Sequence, residues 1–287
     1  MTMQLETSGR ERLLAGLPVA ERRLEPAGVS TAVLEGGDGP PIVLLHGGIE
    51  CGGAVWAPVI SRLAEDHRVV VPDVPGLGES EPVPRLDPAV FADWFAELLR
   101  ETCPGEKPTL IAHSLGGSLA ARFATDHGRL LRRLLVYAAP GVGPYRMPLR
   151  LRAVAIRFGL RPTEGNAERF ERFALLDLDR TRELGPEWYG AFSAYTLARA
   201  KVKHVQRTMQ QLIKSETRQI PDSELARIDV PARLLWGRQD RMVPLDLGEG
   251  ASARLGWPLH VIDDAAHAPH IEQPERFMAA LSSALQG

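Results

Sequence analysis

The sequence predicts an α/β protein whose core is a mostly parallel sheet of about eight strands flanked by helices. Three observations support this fold class. Short apolar runs alternate with longer segments of helical periodicity, both before residue 140 and after residue 224. With 287 residues, of which 44% are hydrophobic, the chain can bury a large core. One apolar run ends at Ser114 among small residues and leads directly into a helical segment.

The first half of the chain alternates strands and helices after a polar start. Residues 1–20 are expected to form a loose N-terminal arm, with a short helix near 10–17. The stretch 22–35 alternates in polarity and breaks at Pro26–Gly28, which predicts two antiparallel strands. Asp87 precedes Pro88 and is predicted to cap a helix. Further strands are predicted at 42–45, 68–73, 109–113 and 134–139, and helices at 51–66, from Pro88 and at 115–127.

Residues 141–223 interrupt this alternation because no strand-like run occurs in them. Their apolar spacing predicts helices at 149–158, at 167–176 and from Pro186 to about Ile213. The alternation then resumes with strands at 232–236 and 259–262 and helices at 245–255 and 274–285. We therefore expect a core formed by 21–140 and 224–287, with 141–223 inserted as a helical cap over the carboxyl ends of the strands.

Composition excludes several classes of protein. The net charge of −2 gives no electrostatic reason to expect nucleic acid as a partner. Cys51 and Cys103 are too few and too far apart for a disulfide framework, and the sequence has no metal-binding spacing of Cys or His. No Gly-rich turn opens a helix after the first strand, so no nucleotide cofactor is expected. Without a signal-like or membrane-spanning apolar segment, a cytoplasmic protein is expected.

Three chemically reactive side chains follow predicted strands. Ser114 lies at a turn from strand to helix, where Gly116 and Gly117 allow the two backbones to approach closely. Asp240 comes shortly after the strand at 232–236, and His267 after the strand at 259–262. Functional groups in open parallel sheets lie at the carboxyl ends of strands, so we expect these three side chains to meet. A serine needs such a base and acid to become a nucleophile.

These residues and their surroundings resemble the α/β-hydrolase superfamily over nearly the whole chain apart from the arm. The resemblance is carried by His46-Gly47-Gly48, Asp73-x-x-Gly76-x-Gly78-x-Ser80, Ala112-His-Ser-Leu-Gly116-Gly117, Trp236-Gly-x-x-Asp240-x-x-x-Pro244, and His267 with Glu272-x-Pro274-x-x-Phe277. Ala112 and Ala266 depart from the usual glycines without removing a chemical group.

The resemblance implies a role for each of these residues. Ser114 would be the nucleophile, His267 the general base and Asp240 the acid that orients it. The backbone N–H groups of Leu115 and of Gly48, with Ile49 as the second choice, would form an oxyanion hole.

Neighbouring polar residues are expected to be structural. Asp263 and Asp264 follow the same predicted strand as His267. They are poorly placed to reach the imidazole nitrogen of His267 that faces away from Ser114. His113 is expected to lie beside the sheet and His46 to hold its loop by hydrogen bonds. His270 is expected to cap a helix or to lie in a loop. The Asp73–Ser80 stretch is interpreted as loop structure.

The cap is expected to shape the substrate site. Its large side chains Trp188, Phe192 and Tyr195 are candidates for contact with an apolar acyl substrate. Five arginines between Arg146 and Arg161, with no acidic residue among them, form either a solvated face or a surface that attracts an anionic substrate or a membrane.

The expected function is hydrolysis of a carboxylic ester or related acyl compound, with a small-molecule substrate and no cofactor. Several alternatives keep the same residues, because one fold supports many reactions. They are cleavage of carbon–carbon bonds in ring-cleavage products, lactone or thioester hydrolysis, and cofactor-free haloperoxidase activity. A receptor that binds ligand without turnover is a further alternative. The oligomeric state is left open.

Overall fold

The computed structural model describes residues 9–286, which form an eight-stranded sheet flanked by helices. The strands are β1 Ala20–Leu24, β2 Thr31–Gly36, β3 Pro41–Leu45, β4 Arg68–Pro72, β5 Thr109–His113, β6 Arg133–Tyr137, β7 Ala232–Gly237 and β8 Leu259–Ile262. Their order across the sheet is β1-β2-β4-β3-β5-β6-β7-β8. β2 pairs antiparallel with β1 and β4, and the remaining pairs are parallel. The predicted fold class is confirmed.

After the helical residues 9–14, the α-helices fall into three groups along the chain. Before β6 come α1 Ala57–Leu63, α2 Pro88–Thr102 and α3 Ser114–His127. Between β6 and β7 come α4 Leu149–Leu160, α5 Glu164–Ala174, α6 Leu178–Leu184, α7 Pro186–Ala200, α8 Lys203–Glu216 and α9 Asp222–Leu225. After β7 come α10 Leu245–Leu255, α11 Pro269–Glu272 and α12 Pro274–Gln286. The second group is the helical cap insertion; the residue boundaries of arm, core and cap stay predictions.

The middle of the sheet is buried on both faces, which explains why its strands have continuous apolar runs rather than alternating patterns. Every residue of β3 and β5 is buried. Helix α2 begins as predicted: the Asp87 carboxylate accepts hydrogen bonds from the N–H groups of Ala89 and Val90, at 3.2 and 3.1 Å.

Two predicted helices differ from the observed ones by more than one turn, whereas the helix predicted at 167–176 differs less, being Glu164–Ala174. The helix predicted at 51–66 starts only at Ala57, because Gly52–Trp56 forms a 3₁₀ turn with Gly52 at a φ of 63°. The long helix predicted from Pro186 to Ile213 is wrong. It is divided into α7 and α8 by Val202, whose extended backbone changes the direction of the chain. No Gly or Pro marks this break. Helices α6, α9 and α11 were not predicted.

The described part of the predicted arm is folded against the core. Residues 9–14 are helical, and both Arg10 and Leu13 are buried. Arg10 forms ion pairs with Glu21 at 2.7 Å and with Asp73 at 3.1 Å. Residues 1–8 of the predicted arm lie outside the described residues.

Three further observations concern disulfides, metal sites and membrane-spanning helices, none of which the sequence predicts. Cys51 and Cys103 are buried free thiols. Among residues 9–286, no cluster of three or more His, Cys, Asp or Glu side chains could hold a metal ion. No helix within the described residues has the length and apolarity needed to cross a bilayer. The cytoplasmic location stays a prediction.

Candidate active site

Ser114 lies at a tight turn between β5 and α3. Its φ of 53° falls in the left-handed region, which is strained for a residue with a Cβ. Small neighbours are needed because the surrounding backbone is so close. A Cβ on Gly116 would lie 2.1 Å from the His46 carbonyl oxygen, and one on Gly117 would lie 2.9 Å from the Ala112 carbonyl oxygen. The sharp turn therefore holds the Ser114 hydroxyl at the carboxyl end of β5.

The structure brings Ser114, His267 and Asp240 together in one hydrogen-bonded chain. His267 Nε2 lies 3.0 Å from Ser114 Oγ, and His267 Nδ1 lies 2.8 Å from Asp240 Oδ2. Since a carboxylate can only accept, the Nδ1–H donates to Asp240, which leaves Nε2 of the neutral ring free to accept the serine proton. Asp240 and His267 are both buried, so their hydrogen bond is shielded from bulk water, while Ser114 is half-buried.

The Asp240 carboxylate is held from both sides. Its other oxygen accepts hydrogen bonds from the N–H groups of Met242 and Val243, at 2.8 and 2.9 Å. Asp263 and Asp264, the rival acids, are exposed and pair instead with Arg238 and Arg276. Among these three carboxylates, the geometry selects Asp240 as the partner of the histidine.

The loop His46–Gly48 lies against the turn at Ser114. A Cβ on Gly47 would lie 2.9 Å from the Ser114 Cβ, so the loop can approach Ser114 this closely only with glycine at position 47. Leu115 is the second residue of α3, and its N–H therefore has no acceptor within the helix. The Ile49 N–H donates to the Gly47 carbonyl at 2.9 Å, which leaves Gly48 as the better placed of the two predicted donors in the loop.

His46 holds this loop in place, and Asp73 holds the adjacent turns at Gly53 and Glu79. The His46 ring donates from Nδ1 to the Gly47 carbonyl at 2.7 Å and accepts at Nε2 from the Val74 N–H at 2.9 Å, which requires the neutral ring. Burial accordingly lowers the pKa of His46. Asp73 accepts from the N–H groups of Gly53 and Glu79, at 2.6 and 2.8 Å. Both residues have the structural roles that the sequence predicted.

Two further histidines lie beside His267. His113 Nε2 donates to the His267 carbonyl at 2.9 Å, and burial, followed by the charge of His267, holds the pKa of His113 well below its ordinary value. His270 is fully buried, with its ring centroid 4.5 Å from that of Trp56, and burial lowers its pKa to about 3. His270 is therefore a neutral core residue rather than a loop residue.

The loops that carry Asp240 and His267 are joined to the end of helix α5 in the cap. The His267 N–H donates to the Ala174 carbonyl at 3.0 Å. The Leu176 N–H donates to Glu272 Oε2 at 2.7 Å. Arg241, next to Asp240, donates to the carbonyls of Arg172 and Leu175. The position of the cap is thus coupled directly to the acid and the base.

Glu272 is the centre of this contact. Its carboxylate is buried and also accepts from the N–H groups of Ala266 and Ala268, the residues on either side of His267, at 3.0 Å each. Burial raises the pKa of Glu272, and these backbone donors act in the opposite direction. The His267 backbone is therefore fixed by one buried side chain.

The cap covers the loop His46–Gly48 through α8. A Cβ on Gly48 would lie 2.6 Å from Leu115 Cδ1 and 3.3 Å from Met209 Cε, so Met209 lies over the loop. Among the predicted substrate contacts, the Trp188 and Phe192 rings stack at 5.1 Å within α7. Tyr195 is buried, and its hydroxyl donates to Glu79 at 2.6 Å. Contact of these three side chains with substrate stays a prediction.

Residues 42–280 match the Alpha/beta hydrolase family. The chain belongs to the alpha/beta hydrolase family. A pimeloyl-[acyl-carrier protein] methyl ester esterase of Aeromonas hydrophila is 28% identical over 273 residues, covering 87% of this chain and 97% of that protein. A 2-hydroxy-6-oxononadienedioate/2-hydroxy-6-oxononatrienedioate hydrolase of Paraburkholderia phymatum is 28% identical over 253 residues, covering 82% and 83%.

Among solved structures, the carboxylesterase CesB of Bacillus subtilis has the same fold as this hydrolase. It superposes with a TM-score of 0.83 at 22% identity, and the match covers 99% of this chain and 98% of that one.

Some residues of the site were not assigned by sequence reasoning. Met209 is not among them: it belongs to the large apolar cap residues from which the sequence predicts the lining of the pocket, and it shares a helical face with Val205 and Leu212. The role of Glu272 had no local signal beyond its place before Pro274. The ion pair between Arg10 and Asp73 joins distant parts of the chain, and neither residue indicates the other.

The neutral state of His270 predicts acid sensitivity. Its folded pKa of about 3 lies below the ordinary 6.5, so the unfolded chain binds the proton first as the pH falls. Its contribution to stability is complete above pH 6.5 and is lost toward pH 3. Between pH 7 and pH 5, the unfolding free energy of the wild type should fall by roughly 2 kcal/mol more than that of His270→Phe. Urea unfolding at both pH values measures this, and equal losses would contradict it.

Glu272 is predicted to stabilise the fold through its backbone donors. Glu272→Gln replaces an accepting oxygen by a donating NH₂ that faces backbone N–H groups, which should lower the unfolding free energy by roughly 1–3 kcal/mol. Glu275→Gln makes the same change at an exposed position nearby. It should stay within about 0.5 kcal/mol of the wild type in urea unfolding. Equal stability of the two variants would show that the carboxylate does not hold the loop.

Proposed function

We propose that this hydrolase cleaves a carboxylic ester or related acyl compound through an acyl-enzyme, with Ser114, His267 and Asp240 as a catalytic triad. The observation that carries the proposal is the pair of hydrogen bonds from the half-buried Ser114 Oγ through the buried His267 to the buried Asp240, at 3.0 and 2.8 Å. Both distances are within the reach required for a nucleophile and its general base.

In the proposed mechanism, Ser114 Oγ attacks the acyl carbon while His267 Nε2 takes its proton. The imidazolium that forms is stabilised by Asp240, whose two oxygens are already fixed by hydrogen bonds. His267 then gives the proton to the leaving alkoxide, and an acyl-enzyme remains on Ser114. A water molecule, deprotonated by His267, hydrolyses this ester and regenerates the serine.

The oxyanion of each tetrahedral intermediate would be bound by the backbone N–H groups of Leu115 and Gly48. Two observations support this pair: Leu115 lies in the first turn of α3, and the N–H of Ile49 is already used by Gly47. The loss of one such donor in other enzymes costs about 3–4 kcal/mol of transition-state stabilisation.

The substrate is proposed to be a small, apolar acyl compound that binds beneath the cap without a cofactor. Met209 from α8 lies over Gly48 and Leu115, which places an apolar side chain beside the proposed oxyanion hole. Trp188, Phe192 and Tyr195 remain candidates for more distant substrate contacts. A cap above the nucleophile would exclude water while charge develops.

Carbon–carbon bond cleavage is the second candidate. The observation that favours it is the 28% identity to the Paraburkholderia hydrolase, whose name describes a dienedioate substrate. The esterase from Aeromonas has the same identity over more of the chain, which favours ester hydrolysis as the first candidate.

Hydrolysis of p-nitrophenyl esters from acetate to palmitate tests the proposal. We expect the wild type to turn over part of this series. Ser114→Ala and His267→Ala should each reduce kcat by roughly 10⁴-fold or more, because both remove a group that moves in the reaction.

Asp240→Asn should reduce kcat by about 10⁴-fold, since it changes the preferred tautomer of His267. The matched control is Asp263→Asn, which removes an exposed carboxylate outside the hydrogen-bonded chain and should leave kcat unchanged. Full activity of Ser114→Ala would overturn the proposal. A wild type inactive on all the esters but active on vinylogous diketo acids would select carbon–carbon cleavage.

A further inference from the structure

Helix α4 of the cap has apolar residues on two opposite faces. Its inner face buries Leu151 and Phe158, and the Phe158 ring stacks on Phe170 of α5 at 6.1 Å. Its outer face carries three large aliphatic side chains in water: Leu149, Ile156 and Leu160 are 82%, 52% and 77% exposed. The inner face accounts for the packing of the helix, and the outer face is left without a role in the fold.

The exposed residues form one continuous stripe. Leu149, Ala153, Ile156 and Leu160 follow one another at spacings of four, three and four, and all four are exposed. At 3.6 residues per turn, these side chains project within an arc of about 60°. Single exposed aliphatic residues are ordinary, but an aligned row of them marks an interaction surface.

Arginines border this stripe on both sides. At the same helical spacing, Arg150 and Arg157 lie along one edge and Arg152 along the other. Arg146 and Arg161 lie just before and just after the helix. The sequence has no Asp or Glu between residues 127 and 163.

The acidic residues of the neighbouring cap helices do not neutralise these arginines. Glu168 and Asp179 pair with Arg172 and Arg182. Arg157 donates to the uncharged side chain of Asn166. In residues 9–286, no ion pair is formed by Arg146, Arg150, Arg152 or Arg161. The stripe is thus bordered by arginines that have no ion-pair partner within the described part of the chain.

We propose that the outer face of α4 docks on the surface of an anionic phospholipid bilayer. An aliphatic stripe with arginines on both edges is the arrangement that places a helix in the plane of a membrane interface, with the stripe among the acyl chains and the guanidinium groups at the phosphates. This inference is independent of the proposed triad, because it uses no residue of the candidate active site.

Two other occupants fit the surface less well. A second copy of the chain would bring the same arginines against each other across a two-fold axis. The residues that dominate binding at protein interfaces are enriched in Trp, Tyr and Arg and poor in Leu, whereas the centre of this stripe consists of Leu, Ala and Ile.

Sedimentation with vesicles tests the proposal. The protein carries Ser114→Ala so that no lipid is hydrolysed, and the vesicles are either pure phosphatidylcholine or contain about one third phosphatidylglycerol, which supplies the anionic surface. We expect binding to the anionic vesicles only. Binding should weaken as salt rises from 0.1 to 1 M, because the Debye length falls from about 10 to 3 Å.

Two variants distinguish the contribution of the aliphatic stripe to vesicle binding from that of the arginines along its edges. Arg146→Gln/Arg150→Gln/Arg152→Gln should weaken partitioning roughly a hundredfold, since each arginine near an anionic surface contributes about fivefold. Leu149→Ser/Ile156→Ser/Leu160→Ser should weaken it at least about tenfold by removing the buried aliphatic area. The control Leu184→Ser/Arg129→Gln/Arg180→Gln removes one exposed leucine and two exposed arginines elsewhere and should bind as the parent does.

Equal unfolding midpoints establish that the variants are folded. The proposal is overturned if the parent protein binds anionic vesicles no better than neutral ones, or if the control loses as much binding as the α4 variants. It is also overturned if light scattering shows a dimer that depends on the stripe while no vesicles are bound.

Discussion

The candidate site depends on a close approach of two backbones at Ser114. The strand-to-helix turn keeps this residue at positive φ, which costs on the order of 1–3 kcal/mol in a residue with a Cβ. The surrounding contacts must maintain that conformation. Gly116 touches the His46 carbonyl and Gly47 touches Ser114 itself, so the loop beside the turn can exist only with glycine at these positions. This close approach of the two backbones therefore fixes the position of the Ser114 hydroxyl and of the backbone N–H groups beside it.

The acid and the base are fixed by a second set of backbone contacts. A Cβ on Gly237 would lie 1.9 Å from the Ala266 carbonyl oxygen, so the end of β7 touches the loop after β8 directly before His267. The Gln239 N–H donates to the Ala265 carbonyl at 3.0 Å, which joins the two loops. Because Glu272 and Ala174 join the same loops to α5, movement of the cap would be transmitted to His267. The cap is therefore part of the site's support as well as its cover.

The sequence was sufficient to predict the sheet and the meeting of Ser114, Asp240 and His267, because these features depend on local patterns. Buried parallel strands have continuous apolar runs, and their carboxyl ends must share one edge of the sheet. The division between α7 and α8 could not be predicted, since an extended Val202 leaves no mark in composition or periodicity. The anchoring of Glu272 to Leu176 and of Arg10 to Asp73 arises only in three dimensions. The exposed stripe of α4 was also hidden, because periodicity does not tell which apolar face is buried.

Covalent labelling of the protein with a fluorophosphonate, followed by peptide mass spectrometry, tests directly whether His267 activates Ser114. Such a reagent reacts with a serine only where a base activates it. We expect one adduct per chain, located on Ser114, and none in the His267→Ala variant. An adduct on another residue, or labelling of Ser114 that persists without His267, would contradict the assignment of Ser114 as a nucleophile activated by His267.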